Sequence, residues 1–126
     1  MPSAHLHLMV RAEIVNPPGV NDVNAVNNFM TSLVDHVRMK VLSPAVTLWC
    51  DEPGNEGITS SILLTTSNSV IHIWNFTDGT GLLEFDLYSC APFTPDEVID
   101  YIKNKFVVTK VAYKFIDREH DLIDIT

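Results

Sequence analysis

Three side chains in the middle of the chain are of types that carry chemistry: Ser67, His72 and Cys90. A serine hydroxyl and a cysteine thiol can act as nucleophiles, and an imidazole exchanges protons near neutral pH. Ser67 falls in a polar break between two apolar runs, and Cys90 ends the apolar run that follows. His72 shares its strand face with Val70 and Trp74, so spacing alone favours a buried, hydrogen-bonded histidine there. The three groups could meet only if their runs form adjacent strands.

The surrounding sequence predicts the strands and helices that would position these residues. Apolar and β-branched runs predict strands over residues 5–12, 45–50, 58–66, 69–75, 82–90 and 107–116. A first helix is expected from Asn21, with Asn21 or Asp22 as its cap, because apolar residues then recur at spacings of three and four. The segment Thr94-Pro95-Asp96-Glu97 predicts the start of a second helix with a capping box. The tail to Thr126 is expected to be loose.

The order β-α-β-β-β-β-α-β indicates an α+β fold, with an antiparallel β-sheet and two helices packed on one face. We expect a single domain over residues 1–126, since the chain contains no linker, repeat or low-complexity tract. The predicted core consists of apolar residues from the helices and the central strands: Leu33, Val34, Ile62, Leu64, Ile71, Ile73, Leu83, Phe85, Leu87 and Ile102.

The composition argues against several classes of protein. Asp and Glu number 16 against 8 Lys and Arg, and the resulting net charge of −8 disfavours nucleic-acid and anionic-membrane partners but leaves a cationic small molecule open. No apolar stretch approaches the roughly 18 residues that span a bilayer. The first residues lack a signal-peptide pattern, so we expect a cytoplasmic protein. Cys50 and Cys90 are too isolated for a disulfide framework, and no metal site is expected.

Three sequence blocks surround the reactive side chains, at residues 57–60 (GITS), 66–74 (TSNSVIHIW) and 86–90 (DLYSC). Together they resemble the small prokaryotic S-adenosylmethionine decarboxylases. That family reads GVSG, then ESHxxIHTWPE, then DxxTCG, at nearly these separations. The resemblance covers residues 57–90, and the flanking helices and the last strand are compatible with it.

The resemblance implies a proenzyme that makes its own prosthetic group. In this family the backbone at the scission serine undergoes an N→O acyl shift, and β-elimination leaves a pyruvoyl group on the new N-terminus. The substrate amine forms a Schiff base with the pyruvoyl ketone, which accepts the electrons released by loss of the carboxylate. By position, the cleaved bond is Thr66–Ser67, and Ser67 is the precursor of the pyruvoyl group.

The resemblance also assigns roles to three further side chains. Thr59 stands where the family has a processing serine, and it still offers a hydroxyl. His72 is the histidine that assists processing by proton transfer, and Cys90 is the acid that reprotonates the decarboxylated carbon. Two protomers share each active site in this family, so the resemblance implies a homodimer.

Several positions depart from the family pattern. Thr66 and Asn68 replace the Glu and His that flank the scission serine. The glutamate that binds ribose falls at Phe76, and a phenyl ring cannot accept hydrogen bonds from ribose hydroxyls. Asp78 could substitute for that carboxylate. Trp49 is the nearest candidate for stacking on adenine.

Three functions are open at this point. The first is the decarboxylation of S-adenosylmethionine for spermidine synthesis, with a pyruvoyl group from Ser67 and no metal. The second keeps the pyruvoyl group but acts on arginine or ornithine, which suits the acidic surplus and the loss of the ribose carboxylate. The third is a homologue that no longer cleaves and has a binding or regulatory role, which Thr66 and Asn68 favour.

Overall fold

The computed structural model describes residues 4–126, which form one β-sheet and two α-helices. The strands are β1 (Leu6–Val15), β2 (Val41–Cys50), β3 (Gly57–Leu64), β4 (Ser67–Asn75), β5 (Thr80–Ser89), β6 (Val107–Asp117) and β7 (Ile123–Asp124). The helices are α1 (Val23–His36) and α2 (Pro95–Lys105), with a short 3-10 turn (Val20–Asp22) before α1. Neighbouring strands are antiparallel, in the order β2-β3-β4-β5-β1-β6-β7. The predicted α+β class is confirmed.

The two helices cover one face of the sheet. Alternate residues of the central strands point toward the helices and are buried, as in the cross-strand pairs Leu8–Leu87 and Ile71–Phe85. All of the residues predicted for the core are buried, and Phe29 of α1 joins them. The opposite face carries exposed and half-buried side chains and is left uncovered by residues 4–126.

The two helices begin in different ways. Asp22 occupies the N-cap of α1 but makes no capping hydrogen bond, because its Oδ2 accepts from the backbone N–H of Gly19 at 2.7 Å. Asn21 belongs to the 3-10 turn, so the predicted side-chain cap is wrong for both residues. The capping box of α2 is confirmed, with Thr94 and Glu97 bonded reciprocally. Neither helix in the described part of the chain is long and apolar enough to cross a membrane.

The strand at one edge of the sheet is longer than predicted. β2 begins at Val41 instead of residue 45, and it includes Pro44. Proline lacks an N–H and is therefore tolerated in a strand that has a neighbour on one side only. Because proline is rare within strands, the sequence predicted that this strand begins only after Pro44.

The C-terminal tail is ordered, so the expectation of a loose tail is wrong. Ile123 and Asp124 pair with the end of β6, and the N–H of Ile125 donates to the carbonyl of Phe115 at 2.8 Å. These backbone hydrogen bonds place the tail against the outer edge of β6. The tail thereby covers the last residues of β6, whose N–H and C=O groups would otherwise be unpaired on that side.

Candidate active site

The peptide bond predicted to be cleaved lies in a tight turn. β3 ends at Leu64, β4 begins at Ser67, and these two residues pair directly, so only Thr65 and Thr66 connect the strands. The polar break predicted at Ser67 is therefore wrong, since Ser67 is already part of the ladder. Thr66 has a φ of 61°, in the left-handed region that a β-branched residue seldom adopts. The backbone is strained at the residue that precedes Ser67.

Cys90 lies beside Ser67. β5 runs antiparallel to β4 with Tyr88 opposite Asn68, so the chain reaches the turn directly after β5 ends. The backbone N–H of Cys90 donates to Ser67 Oγ at 3.3 Å, and the Ser67 hydroxyl donates to Cys90 Sγ at 3.9 Å. The carbonyl of Cys90 accepts from the backbone N–H of Ala4 at 3.2 Å. The structure thus brings Ser67 and Cys90 together.

The hydroxyl of Thr66 touches the same thiol. Thr66 Oγ1 is hydrogen-bonded to Cys90 Sγ and also lies 2.6 Å from the carbonyl oxygen of Thr65. A hydroxyl carries one hydrogen, so it can donate to the sulfur or to the carbonyl, but not fully to both. Donation to the sulfur favours the thiolate. The hydrogen bond from Thr66 lowers the pKa of Cys90 below its ordinary value, against the opposing effect of partial burial and with a smaller contribution from Ser67.

His72 belongs to a separate pair of side chains on the uncovered face. It lies opposite Thr59, and His72 Nδ1 is 3.0 Å from Thr59 Oγ1. The ring centroids of His72 and Trp74 are 5.8 Å apart. A cavity of about 110 Å³ adjoins the pair and is also lined by Cys50 and Asn55. His72 is hydrogen-bonded, as its spacing suggested, but it is half-buried and not buried.

Ser67 and His72 do not meet within one chain. Both lie on β4, and the five residue steps between them span about 16 Å at roughly 3.3 Å per residue. Proton transfer needs heavy atoms about 3 Å apart or one bridging water. Within a single chain, His72 is therefore placed to act on Thr59 and not on Ser67.

The two predicted substrate contacts lie toward the far end of the strands. Trp49 of β2 pairs with Ile58 and packs half-buried against the core. Asp78 lies in the turn between β4 and β5, where its Oδ1 accepts from the hydroxyl and the N–H of Thr80 at 2.6 and 3.0 Å. These two hydrogen bonds lower the pKa of the Asp78 carboxyl. The two ends of β4 are about 26 Å apart, so neither Trp49 nor Asp78 adjoins Ser67 of the same chain.

A polar cluster that the sequence did not predict lies on the uncovered face near the end of β5. His5 Nδ1 is 2.9 Å from the Tyr88 hydroxyl, and the Arg118 guanidinium lies 4.4 Å from the centre of the Tyr88 ring. His7 Nε2 is 2.8 Å from Asp86 Oδ1. The members come from the first, fifth and sixth strands and their flanks, which no local pattern connects. The signals in the sequence were the alternation of His5 and His7 and the acidic position of Asp86 in the third sequence block.

The uncovered face also carries a cavity of about 400 Å³ across β5, β1 and β6. Its charged lining residues are Arg11, Glu84, Asp86 and Lys114. Two acids and two bases offset each other, so the overall negative charge of the chain is not concentrated there. Within residues 4–126, no three His, Cys, Asp or Glu side chains are arranged to hold a metal ion.

The fold and the site define a class: a two-layer α+β protein with a serine–cysteine pair at a hairpin turn. The family model for S-adenosylmethionine decarboxylase matches residues 6–119, and the chain belongs to this family. The chain is also similar to the crystal structure of the adenosylmethionine decarboxylase from Aquifex aeolicus VF5, with a TM-score of 0.63 and 16% identity, over 100% of this chain and 98% of that chain. At that identity the likeness concerns the fold alone. No curated protein matches the chain.

Proposed function

We propose that this chain is a proenzyme that cleaves itself between Thr66 and Ser67 and then decarboxylates S-adenosylmethionine, as a step toward spermidine. One observation carries the proposal: Ser67 Oγ lies 3.3 Å from the backbone nitrogen and 3.9 Å from the sulfur of Cys90, in a member of this family. A reactive serine and a thiol that can supply a proton are the two side chains that scission and decarboxylation require.

Ser67 suits the formation of a pyruvoyl group. The peptide bond between Thr66 and Ser67 lies in a turn, so opening it affects only the last pair of the β3–β4 ladder, Leu64–Ser67. The Ser67 hydroxyl is held at the turn by the N–H of Cys90. Once formed, the pyruvoyl carbonyl supplies the electron sink for loss of the carboxylate. The prosthetic group then comes from the chain itself, and the proposal includes no metal.

Cys90 suits the role of the acid. After the carboxylate leaves, a proton must reach the substrate carbon, and a thiol beside residue 67 is close to that carbon. The thiol must be protonated for this step. A Thr66 hydroxyl that donates to the Thr65 carbonyl leaves a lone pair free to accept from the S–H of Cys90, so the same contacts can hold the protonated form.

We also propose that two copies pair through the uncovered face of the sheet. Val46 and Leu48 are 61% and 66% exposed, and Leu63 is 50% exposed. The strand register places these side chains on the same face as Thr59 and His72. Exposed apolar side chains gathered on one face are typical of association surfaces. This pairing would form a homodimer.

The proposed pairing would also account for the positions of two predicted site residues. His72 and Asp78 do not adjoin Ser67 of their own chain, so each can contribute only to the site of a second copy. Trp49 packs against the core on the face that the helices cover, so this pairing does not bring it to a second site. In that arrangement Asp78 would offer a carboxylate to the substrate, in place of the family glutamate that is Phe76 here.

Self-cleavage is tested by denaturing electrophoresis and intact mass of freshly made protein. We expect two fragments, residues 1–66 and residues 67–126, the second beginning with a pyruvoyl group. Ser67→Ala should abolish both scission and activity. Activity that survives Ser67→Ala would contradict the pyruvoyl mechanism.

The substrate is tested by release of labelled carbon dioxide from the cleaved protein. We expect release from S-adenosylmethionine. Release from arginine or ornithine alone would favour the second function, which the acidic surplus and Phe76 support.

An uncleaved homologue with a binding or regulatory role is the second candidate, and one observation favours it. Thr66 and Asn68 flank Ser67 where the family has Glu and His, and His72 lies about 16 Å from Ser67 along β4. If only the full-length chain is found after prolonged incubation, this function replaces both enzymatic ones.

A further inference from the structure

Thr66 is held in a backbone conformation that threonine seldom adopts. Of the residues that the structure describes, three besides the glycines have a positive φ: Asn16 at 52°, Arg38 at 66° and Thr66 at 61°. Asparagine tolerates the left-handed region, and Arg38 lies just beyond the end of α1, where left-handed residues are common. Neither reason applies to Thr66, whose β-branched side chain crowds the backbone in that region. Thr66 is therefore strained, and its carbonyl carbon belongs to the bond predicted to be cleaved.

Contacts on both sides hold the turn in this conformation. The N–H of Thr65 donates to the carbonyl of Lys40 at 3.0 Å, just before β2 begins. On the other side, Ser67 pairs with Leu64 in the ladder, and its hydroxyl accepts from the N–H of Cys90 at 3.3 Å. Two residues must therefore close the hairpin between fixed ends. A strained conformation persists only where the surrounding structure enforces it, and here the strand ends do so.

We propose that the strain at Thr66 drives the first step of self-cleavage, an inference that rests on the proposed function. Thr66 is then a positioning residue, which exchanges no proton and raises the free energy of the uncleaved chain. Glycine or asparagine usually occupies a turn position with positive φ and would close the same turn at lower energy. The strain thus gives a physical reason why this peptide bond reacts and others do not.

The strained step is an isomerisation that needs no second reactant. The Ser67 hydroxyl loses its proton and its oxygen attacks the carbonyl carbon of Thr66, the C–N bond breaks, and the nitrogen of Ser67 gains a proton and becomes an amine. In the resulting ester, the Thr66 carbonyl carbon reaches the α-carbon of Ser67 through two atoms, Oγ and Cβ, instead of one nitrogen. The longer connection lets Thr66 leave the left-handed region. The strain is present in the peptide and relieved in the ester.

Thr66→Gly and Thr66→Val are the matched pair that isolates the strain. Both lack the hydroxyl that contacts Cys90, but valine keeps the β-branched side chain, whereas glycine adopts a positive φ freely. Each chain is made by cell-free synthesis with hydroxylamine, which cleaves esters, and the loss of full-length chain is followed by intact mass. Because left-handed strain in an L-residue corresponds to a factor of about 5 to 30, Thr66→Gly should cleave at least about fivefold more slowly than Thr66→Val.

Two further measurements separate strain from flexibility. Thr66→Asn should also cleave more slowly than Thr66→Val, since asparagine tolerates the left-handed region without the freedom of glycine. Urea unfolding on a Ser67→Ala background measures stability without cleavage. There Thr66→Gly should have a several-fold higher ratio of folded to unfolded chain than Thr66→Val, because the relieved strain outweighs the added entropy of glycine in the unfolded state.

Three outcomes would overturn the inference while leaving self-cleavage intact. Thr66→Gly could cleave as fast as Thr66→Val, Thr66→Asn could do so, or Thr66→Gly could cleave slowly without being more stable, which would mean that glycine only loosens the turn. A natural chain that forms neither ester nor fragments would instead contradict the proposed function, and the inference with it. The unfolding measurements would still show whether Thr66 is strained.

Discussion

The thiol of Cys90 lies between two hydroxyl groups, and its chemistry depends on which of them donates a hydrogen bond. Ser67 donates from one side, and Thr66 donates or accepts on the other. A glutamate at position 66, as in the family pattern, would place a carboxylate near the sulfur and disfavour the thiolate. The threonine of this chain is a neutral donor, so it makes Cys90 more acidic than a carboxylate would.

Replacing Thr66 by valine should raise the pKa of Cys90, because the hydrogen bond that lowers it is lost while the side-chain shape is kept. The measurement is the rate at which iodoacetamide alkylates Cys90 in a Ser67→Ala, Cys50→Ala chain, which does not cleave and has no other free cysteine. At a pH of about 7, alkylation should slow by several-fold, and the pH profile should move to higher pH. Thr66→Ser keeps the hydroxyl and should leave the profile in place. An unchanged profile in Thr66→Val would show that the hydroxyl does not control the thiol.

The sequence predicted which residues are reactive, but it did not predict which of them lie close to one another. Ser67 and Cys90 were found from residue type and from the resemblance, and they do meet. His72 was found in the same way, but its separation from Ser67 follows from the length of β4 and the pairing of His72 with Thr59. The contact of Thr66 with Cys90 joins two turns that no local pattern connects, so only the strand register reveals it.

The two helices are tied together at their ends by one ion pair. α1 ends at His36, and two residues later Arg38 adopts a φ of 66°. Its guanidinium donates to both carboxylate oxygens of Glu97 in the first turn of α2, at 2.7 and 3.2 Å. Glu97 also accepts from the N–H of Thr94 at 2.9 Å. One carboxylate thus caps α2 and holds the end of α1.

Acid should weaken the fold through Glu97. Hydrogen bonds from Arg38 and from the N–H of Thr94 lower the pKa of Glu97 from 4.5 to about 2. A carboxyl with a lowered folded-state pKa stabilises the protein above its unfolded pKa, and this contribution is lost as the pH falls from about 4.5 to about 2. Glu97→Gln can still cap the helix but cannot titrate. It should lower the free energy of unfolding at neutral pH by about 1 kcal/mol or less, because the Arg38 side chain is 62% exposed, and it should flatten the loss toward acid.

Urea unfolding at a series of pH values measures this effect on a Ser67→Ala background. Glu119→Gln, an exposed change outside the helices, is the control and should leave the acid slope as it is. An acid slope that is the same in Glu97→Gln and in the parent would contradict the assignment.

Elements with local signals were predictable, and elements that depend on distant pairing were not. The box Thr94-Pro95-Asp96-Glu97 marks the start of α2 because all of its interactions lie within four residues. The β7 strand carries no such signal, since its order comes from hydrogen bonds to β6. The start of β2 was missed because Pro44 is tolerated only in an edge strand, and edge position is a property of the whole sheet.

At the scale of the whole molecule, the uncovered face should hold the proposed dimer together. Leu48→Asp places a charge among the exposed apolar residues of that face and should weaken self-association by about tenfold or more, because a charge is costly to bury. Val20→Asp is the matched control, since Val20 is 56% exposed but lies in the 3-10 turn before α1. Sedimentation over a range of concentrations measures both. Equal association of Leu48→Asp and the parent would rule out this face as the dimer interface.

Scission at the turn would leave two pieces whose strands belong to one β-sheet. The first piece supplies β1, β2, β3 and α1, and the second supplies β4, β5, α2, β6 and β7. β1 lies between β5 and β6, so a strand of the first piece is flanked on both sides by strands of the second. The two pieces cannot separate unless the sheet unfolds. After unfolding, they must meet again by diffusion before the sheet can form. The cut therefore turns refolding into a bimolecular reaction whose yield falls on dilution, so the processed molecule can be assembled efficiently only once.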